Sequence, residues 1–530
     1  MLGEMTRSSQ RRIYGFLSGG VTFDRAEDAT GSRIHRYHLV RFLSIAGLYL
    51  ALGFCRIDHQ SLWTDEVISI KRIASNLAVT PWLKSQSPLY FFLLDLWAKI
   101  VGTTEFGLRS LSVLVGLAGL GLTYAIGLLY FDRRVALLGA FLLATSPYFV
   151  WYAQEVRYVA LLVTTTLAMN YVFHRALASR GWRWWAAYGV ASALALFTFM
   201  TVLFVVVAHG LFLLCRNSGR PVFKRWVASQ GVVSLVFAAW FIDLTSYKLG
   251  AAISKTPTVV SQEKQRSREK LPAADIVGII PYTFFVFSVG FSLGPSLTEL
   301  HASRSVDSLL KHWWSIVPAG ALFAFLFVLG LNQVYREKDR GIFILLWLGV
   351  PIVGVFIAAT MTTFHVYNTR YVALVAPAYL IVLAAGLRAI QRRRIQICLL
   401  AALLAVNAIS LYNYYFDPRY GRADARAAAQ YLESAAQSRD VILAVGNPTA
   451  LRHYYKGIVA IETMDARRAD DRTVSENLQK IAKGRDRLWL VEIRPWETDP
   501  KAEIKLVLNK VARRTEHKEF PGVQIHAYDY

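Results

Sequence analysis

LVRFLSIAGLYLALGFCRIDHQSLWTDE, residues 39–66, decides the class of fold. An apolar run of membrane-crossing length gives way, after a short polar stretch, to an acidic pair, Asp65-Glu66. Carboxylates at a membrane edge are costly to desolvate, so they are functional candidates by default. A second acidic site, Gln154-Glu155-Val156-Arg157-Tyr158, follows a later apolar run.

Similar apolar runs recur as far as Leu411, and 55% of the 530 residues are hydrophobic, with 14 Trp, 26 Tyr and 30 Phe. In lipid only segments that satisfy their own backbone polar groups can span, so the pattern is that of a polytopic helical membrane protein. The expected fold is an all-α membrane bundle with a small α/β soluble domain at its C-terminal end. Residues 1–38 form a polar, arginine-bearing arm, 39–413 the membrane part, and 414–530 the soluble domain. The arm is too long and too polar for a cleaved signal peptide, which makes the first span a retained anchor. The net charge of +23 is spread as small clusters between apolar runs, such as Arg133-Arg134, Lys224-Arg225 and Arg392-Arg393-Arg394. Clusters of that kind mark cytoplasmic loops, and they argue against a nucleic-acid partner. Cys55, Cys215 and Cys398 lie in or beside apolar runs with no metal spacing and no disulfide framework.

Charge sets the topology. With the arginine-rich N-terminus inside, the span 40–57 exits and Asp65-Glu66 is external. Residues 88–101, about 14 long, fit an in-plane or re-entrant helix better than a span. If that segment stays outside, 108–130 returns Arg133-Arg134 to the cytoplasm and 135–151 places Glu155 outside with Asp65. Continuing gives spans at 157–175, two short spans within 184–215 with a turn near Thr198–Thr201, then 226–247, 313–332, 341–360, 371–390 and 395–413. The total is about 11 spans. Residues 276–292 are a second in-plane segment, 254–270 an external polar loop, and the C-terminal domain is external. In that domain 423–436 and 473–482 have helical spacing, and 440–445, 487–493 and 523–528 read as strands. Trp63, Trp151, Tyr152, Trp313 and Trp314 have the placement of interface-belt aromatics.

Trp63-Thr64-Asp65-Glu66 resembles the first-loop acidic motif of the GT-C membrane glycosyltransferases. Ser87-Pro88-Leu89-Tyr90 with Glu105-Phe106-Gly107-Leu108-Arg109 is similar to the next segment in their bacterial protein-mannosyltransferase-like and aminoarabinose-transferase-like branch. Ser146 through Tyr158 resembles that branch's second motif, Asn368-Thr369-Arg370-Tyr371 its late span, and Asp424 with Arg426 the start of its soluble tail. The resemblance covers most of 39–426. It implies a helical bundle with in-plane external helices, and inverting transfer of a sugar from a polyprenyl-phosphate carrier to a lipid, glycan or protein acceptor at the external face. Many relatives carry a His near the turn at 198, where this chain has Phe199.

Inverting transfer needs a base for the acceptor's proton, and Asp65 is the expected base. The alternative for Asp65 is an N-cap on the helix that follows Trp63. Glu66, its neighbour, cannot share Asp65's direction on a helix and is expected to orient the loop. Glu155 is expected to position the acceptor or tune Asp65, or else to form an ion pair with Arg157 or a nearby basic residue at the membrane edge. The leaving phosphate needs positive charge and donors. Arg370, standing against the charge bias at the external start of a span, heads that list with Tyr371. Arg157, Lys84, His301 and His365 follow, and Gln154 and Tyr158 flank Glu155 in the second motif. No cofactor is required, and no His/Asp ligand spacing demands a divalent metal. A transporter or flippase of lipid-linked glycans, or a membrane scaffold with a partner-binding tail, are the rival readings. Asp95 and Asp243 are the acidic residues a transporter would use.

Overall fold

The computed structural model describes residues 29–74, 83–179, 181–253, 273–303, 306–361, 367–467 and 469–529. The arm before residue 29, the loop at 254–270 and His365 lie outside the described residues.

Every expected span is met by a helix or a bent pair of helices. Among the described residues six are long and apolar enough to cross a membrane, or seven if the pair Arg133–Ala144 and Pro147–Ala153 is one span. The six are Glu105–Tyr130, Arg220–Tyr247, Trp313–Arg336, Asp339–Thr360, Thr369–Ala389 and Arg393–Phe416. The helices Ala29–Phe54, Val159–Ala178, Trp182–Thr198 and Leu203–Cys215 occupy the remaining expected places and are shorter or less apolar. The chain is thus an integral membrane protein with a mainly helical body. Pro88–Val101 forms the expected 14-residue helix, and Ala273–Val289 the second short segment, with Pro281 inside it.

Local chemistry sets the breaks. Pro147 drives Ser146 out of the helical region, and the pair on either side of it bends by 57°. Ser146 then caps the new helix by accepting the Phe149 amide. This bend delivers Glu155 and Arg157 to one end of the bundle. Helices Trp313–Arg336 and Thr369–Ala389 meet at paired glycines. A Cβ at Gly330 would lie 2.0 Å from the Val382 carbonyl oxygen, and one at Gly386 2.0 Å from that of Leu326. Where lipid is as apolar as the helices, such close backbone approach supplies the packing attraction.

The C-terminal domain is a five-stranded sheet, β1 (Val441–Gly446), β2 (Ile461–Thr463), β3 (Arg487–Ile493), β4 (Arg513–Phe520) and β5 (Val523–Asp529), in the order β2-β1-β3-β5-β4. The first three are parallel, and β5 runs antiparallel to β3 and β4. Helices Ala425–Ala435 and Thr449–Tyr454 cover one face, Asp471–Ala482 and Glu503–Val511 the other. The expected strands and helices are present, and two further helices and strands β2 and β4 join them.

Gly330→Ala should lower thermal stability in detergent by about 1–3 kcal/mol, the scale of overpacking a close contact, whereas Gly320→Ala, in open space on the same helix, should leave the melting temperature nearly unchanged.

Candidate active site

The carbonyl of Trp63 accepts the amides of Glu66 and Val67, each at 3.0 Å, and so opens the helix Thr64–Ala74. Asp65 and Glu66 therefore sit in the first turn, where the helix dipole favours carboxylates. Asp65 is not the cap; the expected capping alternative fails because the helix begins before its side chain could bridge the turn. As neighbours on a helix the two carboxylates point apart.

Glu66 points inward and is fully buried. Arg109 grips it with two nitrogens, at 3.0 and 2.9 Å, Arg422 adds a third at 2.8 Å, and the Val156 amide donates at 2.9 Å. Burial works to raise its pKa, but the two arginines outweigh burial and hold it down to about 2. Both oxygens are committed to protein partners, so Glu66 is a positioning residue. Glu155 is also buried. It accepts from the Trp151 indole at 2.7 Å and from Arg422 at 3.3 Å. Its basic partner is Arg422 and not Arg157, which turns to Asp65. Burial pushes Glu155 up, Glu66 adds to the rise, Arg422 offsets only part, and the result is about 7.

Asp65 points outward. Its Oδ2 lies 2.6 Å from Arg370 Nη1 and 3.5 Å from Arg157 Nη2. Among the described residues no hydrogen bond reaches its Oδ1. Burial would raise its pKa, but Arg157 and Arg370 prevail, with Arg494 of the C-terminal domain assisting, so the carboxylate is ionised at neutral pH. The Nε–H groups of both arginines are buried without a hydrogen-bond partner among the described residues. Tyr148 fixes this edge by donating to the Thr369 carbonyl at 3.0 Å, and Asn368 accepts the Arg370 amide at 3.0 Å.

Tyr158, Phe199 and Tyr371 form one aromatic stack, with centroids 4.6 and 5.5 Å apart. Phe199 is its middle ring. Gln154, expected to bind substrate, is buried and spent on structure: its amide donates to the carbonyls of Gly53 and Cys55, and it accepts from Tyr414. Lys84 is drawn away from Asp65 to an ion pair with Asp243, and Asp95 pairs with Lys99. His301 lies on the helix Leu297–Ser303, and its side chain, like all of His365, is outside the described residues. Trp151 and Tyr152 are buried rather than belt residues, because Phe291 and Tyr414 pack over them, whereas Trp313 and Trp314 are exposed. No group of three or more His, Cys, Asp or Glu among the described residues is arranged to hold a metal.

Sequence reasoning missed the roles of Arg109 and Arg422. Arg109 was visible as a charge inside a span. Arg422 belongs to the basic run Arg419, Arg422, Arg426, in a stretch that the charge pattern leads one to expect outside, the same signal that singled out Arg370. Arg426 pairs with Glu105, Asp424 accepts from Ser61 at 2.7 Å, and Tyr454 donates to Glu105 at 2.6 Å while accepting from the Leu62 amide. These bonds dock the C-terminal domain directly over the acidic helix.

This fold is similar to that of solved structures of ArnT and of an archaeal oligosaccharyltransferase. Residues 85–242 match the family model described as dolichyl-phosphate-mannose-protein mannosyltransferase. Among solved structures, ArnT from Cupriavidus metallidurans in the apo state is similar at a TM-score of 0.54 and 12% identity, covering 92% of this chain and 97% of that one. The same protein bound to undecaprenyl phosphate is similar at 0.54 and 14%, covering 94% and 98%. The Archaeoglobus fulgidus oligosaccharyltransferase in the apo form gives 0.53 and 12%, covering 89% and 71%. No curated protein matches by sequence.

Removing Arg422 strips a buried carboxylate pair of a shared cation. Arg422→Ala should cost about 3 kcal/mol, the scale of a broken buried pair, and free the C-terminal domain to limited proteolysis. Glu155 makes stability pH-dependent. Between its ordinary 4.5 and about 7 the folded chain keeps a proton that the unfolded chain has released. That contribution is present at low pH and lost as pH rises through the window. The melting temperature should therefore fall from about pH 5 to about pH 8 in the wild type more than in Glu155→Gln.

Proposed function

We propose that the chain transfers a sugar from a polyprenyl-phosphate-linked donor to an acceptor hydroxyl or amine at the extracytoplasmic face of the membrane, with inversion at the anomeric carbon. The observation that carries this is Asp65 facing two half-buried arginines whose buried Nε–H groups lack partners among the described residues. Guanidinium donors left over from the pairing with the partly exposed Asp65 can take an anion, and their planar fork suits phosphate oxygens.

In this reading Asp65 takes the acceptor's proton as the acceptor attacks the anomeric carbon. The bond from that carbon to the phosphate oxygen breaks with both electrons going to the phosphate. Arg157 and Arg370 stabilise the charge as it develops. The two arginines keep Asp65 ionised, the form that can accept a proton. Glu66, Arg109 and Arg422 hold the helix that carries it. An apolar groove of about 750 Å³, lined by Tyr282, Phe285, Phe291, Leu300, Ile316 and Phe327 among others, offers a bed for the isoprenoid chain. Phe291 in its wall packs on Trp151, which bonds Glu155. The undecaprenyl phosphate bound to the similar ArnT supports the same carrier class here.

The arginine clusters between apolar runs favour a cytoplasmic N-terminus and an external C-terminal domain, in the inner membrane of a bacterium. A lipid, glycan or protein hydroxyl or amine then approaches Asp65 beneath that domain.

Labelled polyprenyl-phosphate hexose, pentose and uronic-acid donors, with membrane extract as acceptor source, give the test. Wild type should turn over at least one donor, and Asp65→Asn should lose more than about a hundredfold in rate, the scale of a lost general base. Equal turnover by both would remove Asp65 from the mechanism.

A further inference from the structure

The two acidic residues of the first turn are solved by opposite means. Glu66 is fully buried, and both of its oxygens are taken up by protein donors. Asp65 is 28% exposed in its side chain, and its carboxylate meets both arginines through one oxygen, while Arg157 also donates to its backbone carbonyl at 3.4 Å. Among the described residues it is the sole carboxylate partner of Arg157 and of Arg370. Both guanidinium groups nevertheless keep a buried Nε–H unused. The pairing is therefore partial: one carboxylate oxygen neutralises two cations and leaves donors over.

A phosphate group brings several oxygens to the same two forks and satisfies more of those donors in the charge-assisted geometry arginine prefers. A phosphate arriving at the two forks competes with the carboxylate for them, because their like charges repel at that distance. We propose that Asp65 stands in the place of the donor's phosphate in the ligand-free site and yields Arg157 and Arg370 when the phosphate arrives, so that the base is freed only once the donor is bound. The inference rests on the reading of this site as a polyprenyl-phosphate sugar site.

The exchange fits the charge balance of the transfer. Before it, the donor phosphodiester carries one negative charge and Asp65 another. The acceptor's proton moves to Asp65, the acceptor oxygen or nitrogen bonds the anomeric carbon, and the departing phosphate takes the bonding pair and a second charge. Neutral Asp65 then has no claim on the arginines, and the product phosphate holds both. Loss of the proton from Asp65 restores the competition and favours product release. Without donor, the carboxylate remains locked against its arginines, and an acceptor arriving first meets a base already engaged.

The test is the affinity of the purified full-length protein for undecaprenyl phosphate in detergent micelles, for wild type, Asp65→Asn, Asp65→Ser, Arg370→Ala and the Asp65→Asn/Arg370→Ala double variant. If Asp65 competes for the arginines, removing its charge should tighten binding by about tenfold, within the 5- to 150-fold range of typical site coupling. Asp65→Ser supplies the same comparison should the Asn variant fail to fold. The gain should shrink severalfold in the Arg370→Ala background, because the competition runs through that side chain. A gain of the same size in that background would be a general field effect and would overturn the exchange. Equal or weaker binding by both Asp65 variants would overturn it as well, while leaving the donor reading intact. No binding of undecaprenyl phosphate by wild type would remove the donor reading itself, and the exchange with it.

Discussion

A carboxylate taken fully out of water has to be paired, and the pairing of Glu66 is what the rest of the site hangs on. Its partners come from the span that begins at Glu105, from the turn after the bent helix pair, and from the start of the C-terminal domain. Four segments far apart in the chain are thereby fixed to one group. A buried ion pair is a weak source of net stability, since desolvation consumes most of its attraction. Its strength is geometric: a misplacement of any one segment leaves charge unpaired in a dry interior. Asp65 inherits that precision as the next residue on the same turn.

Arg422 ties the same interior to the soluble domain and lies over the rings of Trp63 and Trp151 at 5.8 and 5.4 Å. With Tyr454 and Arg426 gripping Glu105, the domain is anchored on the membrane body rather than tethered to it. The loop that leaves β3 brings Arg494 within electrostatic reach of Asp65. The field at Asp65 is thus a joint product of the membrane helices and the domain above them.

The helical body was legible because apolar length and arginine placement follow directly from the cost of exposing backbone or charge to lipid. Asp65, Glu66, Glu155 and Arg370 were legible for the same reason, each being a charge where the pattern has none to spare. Their partnerships were not. Arg109 lies 43 residues from Glu66 and Arg422 lies 356 away, and no local spacing encodes such a pairing. Gln154, Trp151 and Tyr152 read as external or belt residues because the sequence places them at the end of a span. Later segments, carrying Phe291 and Tyr414, close over them. Strand β4 escaped notice because nearly all of it is exposed and it has no buried face to produce alternation.

That strand has a bearing on life in a membrane plane, where copies of one protein meet far more often than in free solution. A sheet edge offers unpaired backbone groups to any similar edge it meets. Here one edge is the run RRTEHKEF, whose charges obstruct a neighbouring strand, and the other is β2, only three residues long. Neither edge gives a second copy a usable template. Crowded domains can therefore slide past one another without stitching their sheets together.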